Sequence, residues 1–200
     1  MKLTNSVQIK VLFVLLITMP FPLIGNSSGP PSGYAYNAPN YNNCTVCHSG
    51  TVNSGNGSID FIDLPNEFNP GVTYSIGIVV TGSNSRGYGF QATAMSGDQF
   101  AGNFSFNSDS ENLELNGGFI QHSNRTDSGI WYFNWDAPEE VGEAIIFSAS
   151  GLATGGSSGY SGDRVYTVQF EIQPQSVGSL LNNPLINFSL NGNYPNPFNG

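Results

Sequence analysis

Apolar and polar residues alternate along most of the chain with a period of two. Val72, Tyr74, Ile76, Ile78 and Val80 interleave with Thr73, Ser75, Gly77, Val79 and Thr81. Successive strand side chains point to opposite faces, so this pattern predicts a strand with one apolar face. Ile59 and Phe61 alternate with Ser58 and Asp60, and Tyr88, Phe90, Ala92 and Ala94 repeat the pattern. Phe104 and Phe106 mark a short strand, and 119–122 another. Trp131, Phe133 and Trp135 share one face, as do Ile145, Phe147 and Ala149, and Tyr166, Val168, Phe170 and Ile172. Turn residues separate these runs: Pro70-Gly71, Ser83-Asn84, Asn116-Gly117-Gly118, Ala137-Pro138 and the 154–163 loop. No segment sustains a helical period. Half-buried strands must pair their apolar faces, so the pattern predicts an all-β fold of two packed sheets. Strand order does not follow from periodicity.

The two ends depart from this pattern. Lys2 and Lys10 precede an apolar run from Val11 to Ile24 that Pro20 and Pro22 interrupt, with Gly25 and Ser27 as small residues after it. The run is shorter than the ~20 residues a spanning helix needs, so residues 1–27 are expected to be a cleaved export signal. No membrane span is expected once it is removed. Residues 28–173 form the expected β-sandwich domain, opening on an extended lead-in rich in Gly, Pro, Asn and Tyr. From 174 the composition shifts to a linker, with Ile186, Phe188 and Leu190 suggesting one further strand.

Charge changes the picture modestly. The 200 residues carry 14 acidic side chains and a formal net charge of −9. Both lysines fall in the signal, which leaves Arg86, Arg125 and Arg164 as the fixed cations. So acidic a chain should repel nucleic acid and anionic lipid. A solvated, soluble surface explains the balance, which would also favour a basic redox partner.

The candidate chemistry is concentrated in one motif. The chain has two cysteines, Cys44 and Cys47, and His48 follows directly. Cys-x-x-Cys-His is the pattern of covalent c-type haem attachment. Two thiols add to the two vinyl groups of one porphyrin, and the next imidazole falls below the iron as proximal ligand. Three rivals stand beside this reading. A Cys44–Cys47 disulfide or dithiol suits an exported protein, but the thioredoxin-like setting is missing. Zinc could draw on Cys44, Cys47, His48 and His122. A chance match is the third.

For the distal position, counting leaves His122, with Met95 as the fallback, a weaker ligand or an open site. Met95 as a packed methionine and His122 as a solvated loop residue are the bland alternatives. Two axial histidines would imply electron transfer. Other constellations are weaker. No Gly-x-Ser-x-Gly elbow appears. Asp60 with Asp63, and Asp109 with Glu111, lack calcium-loop spacing. The 155–162 glycine-serine stretch precedes a strand and suits phosphate poorly.

Several dispersed elements occur in a telling order: Cys44 to His48, 70–74, 86–91, 101–102, His122, 131–138, 147–151 and 162–166. Together they resemble the Reeler-like, choice-of-anchor domain of exported bacterial proteins, over about 43–172. The resemblance implies an immunoglobulin-like antiparallel β-sandwich with a short N-terminal haem-binding segment, and by position it supports His122 as distal ligand. At the other end, Asn193-Tyr194-Pro195-Asn196-Pro197-Phe198-Asn199 resembles the opening of the C-terminal sorting domain of type IX secretion. The sequence stops just after that motif, so a fragment of a longer protein, or a vestigial motif, is expected.

The leading expectation is therefore an exported monohaem electron carrier with one covalent haem c and no catalytic residues. Its rival is a non-redox surface or matrix adhesion module with a Cys44–Cys47 disulfide. A haem peroxidase is a weaker third.

Overall fold

The computed structural model describes residues 28–48, 50–140, 142–155 and 162–175. The export signal, the strand expected about Ile186 to Leu190 and the tail motif lie outside the described residues. In chain order the strands are β1 (Gly57–Ile62), β2 (Glu67–Phe68), β3 (Thr73–Gly82), β4 (Tyr88–Ser96), β5 (Gln99–Phe100), β6 (Asn103–Ser105), β7 (Leu113–Asn116), β8 (Phe119–His122), β9 (Ile130–Asp136), β10 (Ile145–Ala153) and β11 (Arg164–Pro174). The one helical element among the described residues is a 3-10 turn at Cys44–Val46.

The strands make two sheets. One runs β1-β3-β9-β6, the other β2-β11-β10-β4-β8-β7, with β5 on β4. Pairing is antiparallel except for the short β2, which runs parallel to the end of β11. The fold is the expected all-β sandwich.

Register explains the core. Ile76 pairs with Phe133, Ile78 with Trp131 and Tyr74 with Trp135, so the apolar rows of β3 and β9 face inward together. Opposite them, Phe147 pairs with Ala94 and Phe170, and Gly151 with Phe90. Across the gap the rings of Phe90 and Trp131 lie 4.7 Å apart, and those of Trp135 and Phe147 5.0 Å. Small residues on β4 and β10 (Ala92, Ala94, Ala149) make room for large ones on β9. Burying each large side chain stabilises the sandwich by about 1.5–3 kcal/mol. The tryptophans are core residues, as their shared strand face predicts; Trp135 Nε1 donates to Ala101 O at 3.0 Å.

The lead-in folds differently from a simple extended arm. Residues 28–48 lie across the outward face of the larger sheet, and Ala35 is fully buried there.

Candidate functional site

The middle of the outward face of the larger sheet is built from uncharged polar side chains, with Glu114 at its β7 edge. Ser150 of β10 pairs with Gln91 of β4, Gln91 with Gln121 of β8, and Gln121 with Glu114 of β7. These partners place the four side chains in one row across the strands. Ser150, Gln91 and Gln121 are buried. A buried amide without partners would cost about 1–3 kcal/mol, so the row must find them. It finds them in the lead-in. Gln91 Nε2 donates to Pro31 O at 2.9 Å and its Oε1 accepts from Tyr34 N. Gln121 Nε2 donates to Pro30 O at 2.8 Å and to Glu114 Oε1. Gln91 Nε2 also donates to Gln121 Oε1. One rung away, Gln169 Nε2 donates to Tyr36 O and to Ser148 Oγ.

The cysteine motif closes this strap. Asn43 caps the 3-10 turn, its Oδ1 accepting from Thr45 N at 2.9 Å. Cys44 N donates to Ser150 Oγ at 3.1 Å, and the same hydroxyl donates to Cys44 Sγ at 3.2 Å. The thiol is thus turned down onto the sheet. Burial pushes its pKa from 9.0 up to about 11, against the lowering effect of the Ser150 bond. Cys47 is exposed, and both cysteines are free thiols. The Cys44–Cys47 disulfide of the rival reading is not formed in this structure.

His48 turns toward the start of β11. Its Nδ1 lies 2.7 Å from Asp163 Oδ2. Asp163 is buried, and its Oδ1 accepts from Gly155 N at 2.9 Å. His122, the last residue of β8, folds over Gly89; a Cβ there would come within 2.6 Å of its ring. Its Nδ1 lies 3.0 Å from Phe90 N and 2.9 Å from Phe90 O, so it accepts from one or donates to the other according to tautomer. Burial lowers its pKa below 6.5, against the raising effect of the Phe90 backbone. Glu114 raises it as well, and His48, the smallest influence, lowers it.

The structure therefore brings Cys44, His48 and His122 to one face and leaves Met95 apart. Met95 is buried on β4 between Ile146 and Phe100. It lies six positions from Gly89, about 20 Å along an extended strand. It is a packing residue. Sequence reasoning missed Ser150, Asp163, Gln91 and Gln121. The available signal was the absence of charge at alternate positions of β4 and β10, where a solvated face would carry Lys or Glu.

No protein-family model and no curated protein matches the chain. Among solved structures it is similar to the Reeler domain of human F-spondin, at 17% identity and a TM-score of 0.45 over 62% of this chain and 95% of that one. A structure of the Reelin-N domain of F-spondin matches at 18% identity and 0.45, over 64% and 93%. A conjugative transposon lipoprotein from Bacteroides eggerthii matches at 13% and 0.36, over 60% and 98%.

These findings correct the expectation of a monohaem electron carrier. Among the described residues, no three His, Cys, Asp or Glu side chains gather where a metal ion could sit. Cys44 Sγ accepts from the Ser150 hydroxyl, while Cys47 is exposed. The rings of His48 and His122 each bind the protein itself, at Asp163 and at the Phe90 backbone. The chain is therefore not read as an electron-transfer cytochrome.

Proposed function

We propose that the protein is a non-redox binding module of the cell surface or extracellular matrix. The observation that carries this reading is the use made of the chemical residues. Cys44, His48, Gln91, Gln121 and Asp163 hold the lead-in on the sheet, and the result is a closed scaffold. Such a scaffold acts through its outer surfaces, and function there belongs to exposed side chains rather than to a reacting centre. Export is supported by the basic start and apolar run of residues 1–27. The Asn193–Asn199 motif supports the type IX route to the surface.

The test is attachment. Cells producing the protein should show it accessible to added protease and should adhere to a matrix-coated surface more strongly than cells without it. Equal adhesion, or a protein that protease cannot reach from outside, would overturn the proposal.

A further inference from the structure

The three fixed cations of the described domain stand at one end of the sandwich. Arg164 opens β11 and pairs with Ala153. Ala153 pairs with Tyr88 of β4, and Tyr88 bridges to Thr126, the neighbour of Arg125. With strands about 4.8 Å apart, that row spans about 15 Å. Arg86 lies in the loop before β4, its N–H donating to Thr154 O at 3.1 Å. The side chain of Arg125 lies against Gly87, where a Cβ would strike its Cδ. All three arginines are exposed. In a chain with 14 acidic residues, none of them pairs with a described carboxylate; the ion pair found among the described residues is His48 with Asp163.

Beside Arg164 is an open pocket of about 260 Å³. Ser83, Asn84, Ser85 and Thr154 line it together with Arg164. The hydroxyls of Ser85 and Thr154 already donate to Gly87 O, which leaves Ser83, Asn84 and the Arg164 guanidinium to face a ligand, and the lining has no carboxylate. Two acids stand near this end. Both oxygens of Asp163 are taken, by His48 and by Gly155 N. Asp127 lies on the loop beyond Arg125 and does not line the pocket.

We propose that this pocket binds a tetrahedral oxyanion, a phosphate or sulfate group, with Arg164 as the direct partner and Arg86 and Arg125 supplying field. A guanidinium offers a planar fork of donors that such an anion accepts in pairs. The rest of the acidic chain repels anions, so the cationic end is where one can approach. This site stands independently of the surface-module reading.

The exported protein, isotope-labelled, is titrated with inorganic phosphate and separately with inorganic sulfate at low ionic strength, and amide shifts are followed. Saturable shifts confined to 83–86, 154–155 and 162–164 are expected. Arg164→Gln should weaken binding about tenfold, the size of one lost charge-assisted pair. Arg86→Gln and Arg125→Gln should each weaken it two- to threefold and steepen no other property. Preference between the two anions identifies the group recognised. Shifts that do not saturate, that sodium chloride at matched ionic strength reproduces, or that Arg164→Gln leaves unchanged would overturn the proposal. The arginines are exposed, so the variants should fold.

Discussion

The two outward faces of the sandwich are made of similar residues and meet opposite fates. On the larger sheet, Ser150, Gln91 and Gln121 are buried beneath the chain's own lead-in. On the smaller sheet, Ile130 and Tyr132 of β9 stay 43% and 38% exposed, and the Tyr132 ring lies across Gly77. Both faces are poor in charge, so residue type did not decide which was covered. Hydrogen-bond geometry did. The glutamine row offers donors and acceptors at strand spacing, and an irregular segment without ladder bonds of its own needs such partners. The smaller sheet's polar outer residues are already engaged with one another: Asn107 Nδ2 bonds Ser75 Oγ and Asn134 Oδ1, and Thr73 Oγ1 donates to Asp136 Oδ1.

Substitutions can break this contrast in order of size. Phe133→Ala, on the inward side of β9, should cost about 3–5 kcal/mol in urea unfolding, since it empties the layer both sheets share. Gln91→Ala should cost about 2–3 kcal/mol, by leaving Tyr34 N, Pro31 O and Gln121 Oε1 without partners. It should also open residues 28–48 to protease before the sandwich unfolds. If that variant is as stable and as resistant as the parent, the amide row does not hold the strap.

The Cys44 thiol gives the same contrast a pH signature. The folded state holds its proton more tightly than the unfolded chain, with a pKa of about 11 against 9.0. Its stabilisation is whole below pH 9.0 and is lost as pH rises toward 11, by about 2 kcal/mol. Stability measured against pH should fall through that window, and Cys44→Ala should flatten it. His122 works at the other end. Its pKa is depressed by burial, so its contribution is present above 6.5 and is lost as pH falls below that value. His122→Asn should remove that acid limb. The smallest effect belongs to the bare face: Tyr132→Ser should cost under about 1 kcal/mol and leave both limbs in place.

Much of the fold is legible in the sequence. The alternation of β3, β4, β9, β10 and β11 runs long enough to give strand, face and inward residues together. The short β2, β5 and β7 escape, because two to four residues show no period and exist only through their neighbours' ladders. The motif at Cys44 does not by itself show where its side chains turn. Cys-x-x-Cys-His specifies a spacing along the chain, whereas the direction of each sulfur depends on what lies beneath. Ser150, about a hundred residues later, turns Cys44 inward, and Asp163 takes the ring of His48. Neither partner has a signal in the motif. The burial of the lead-in is equally hidden, since its glycines and prolines look the same whether solvated or held by glutamines on three strands.

The central claim is that the Cys44–His48 segment holds the strap down and carries no redox centre. Intact mass and an absorption spectrum test it most directly, on protein recovered from outside cells equipped for c-type maturation. The account predicts the mass of the bare processed polypeptide, two titratable thiols and no Soret band. A mass increased by one porphyrin, with a Soret band that survives acid-acetone extraction, would contradict it.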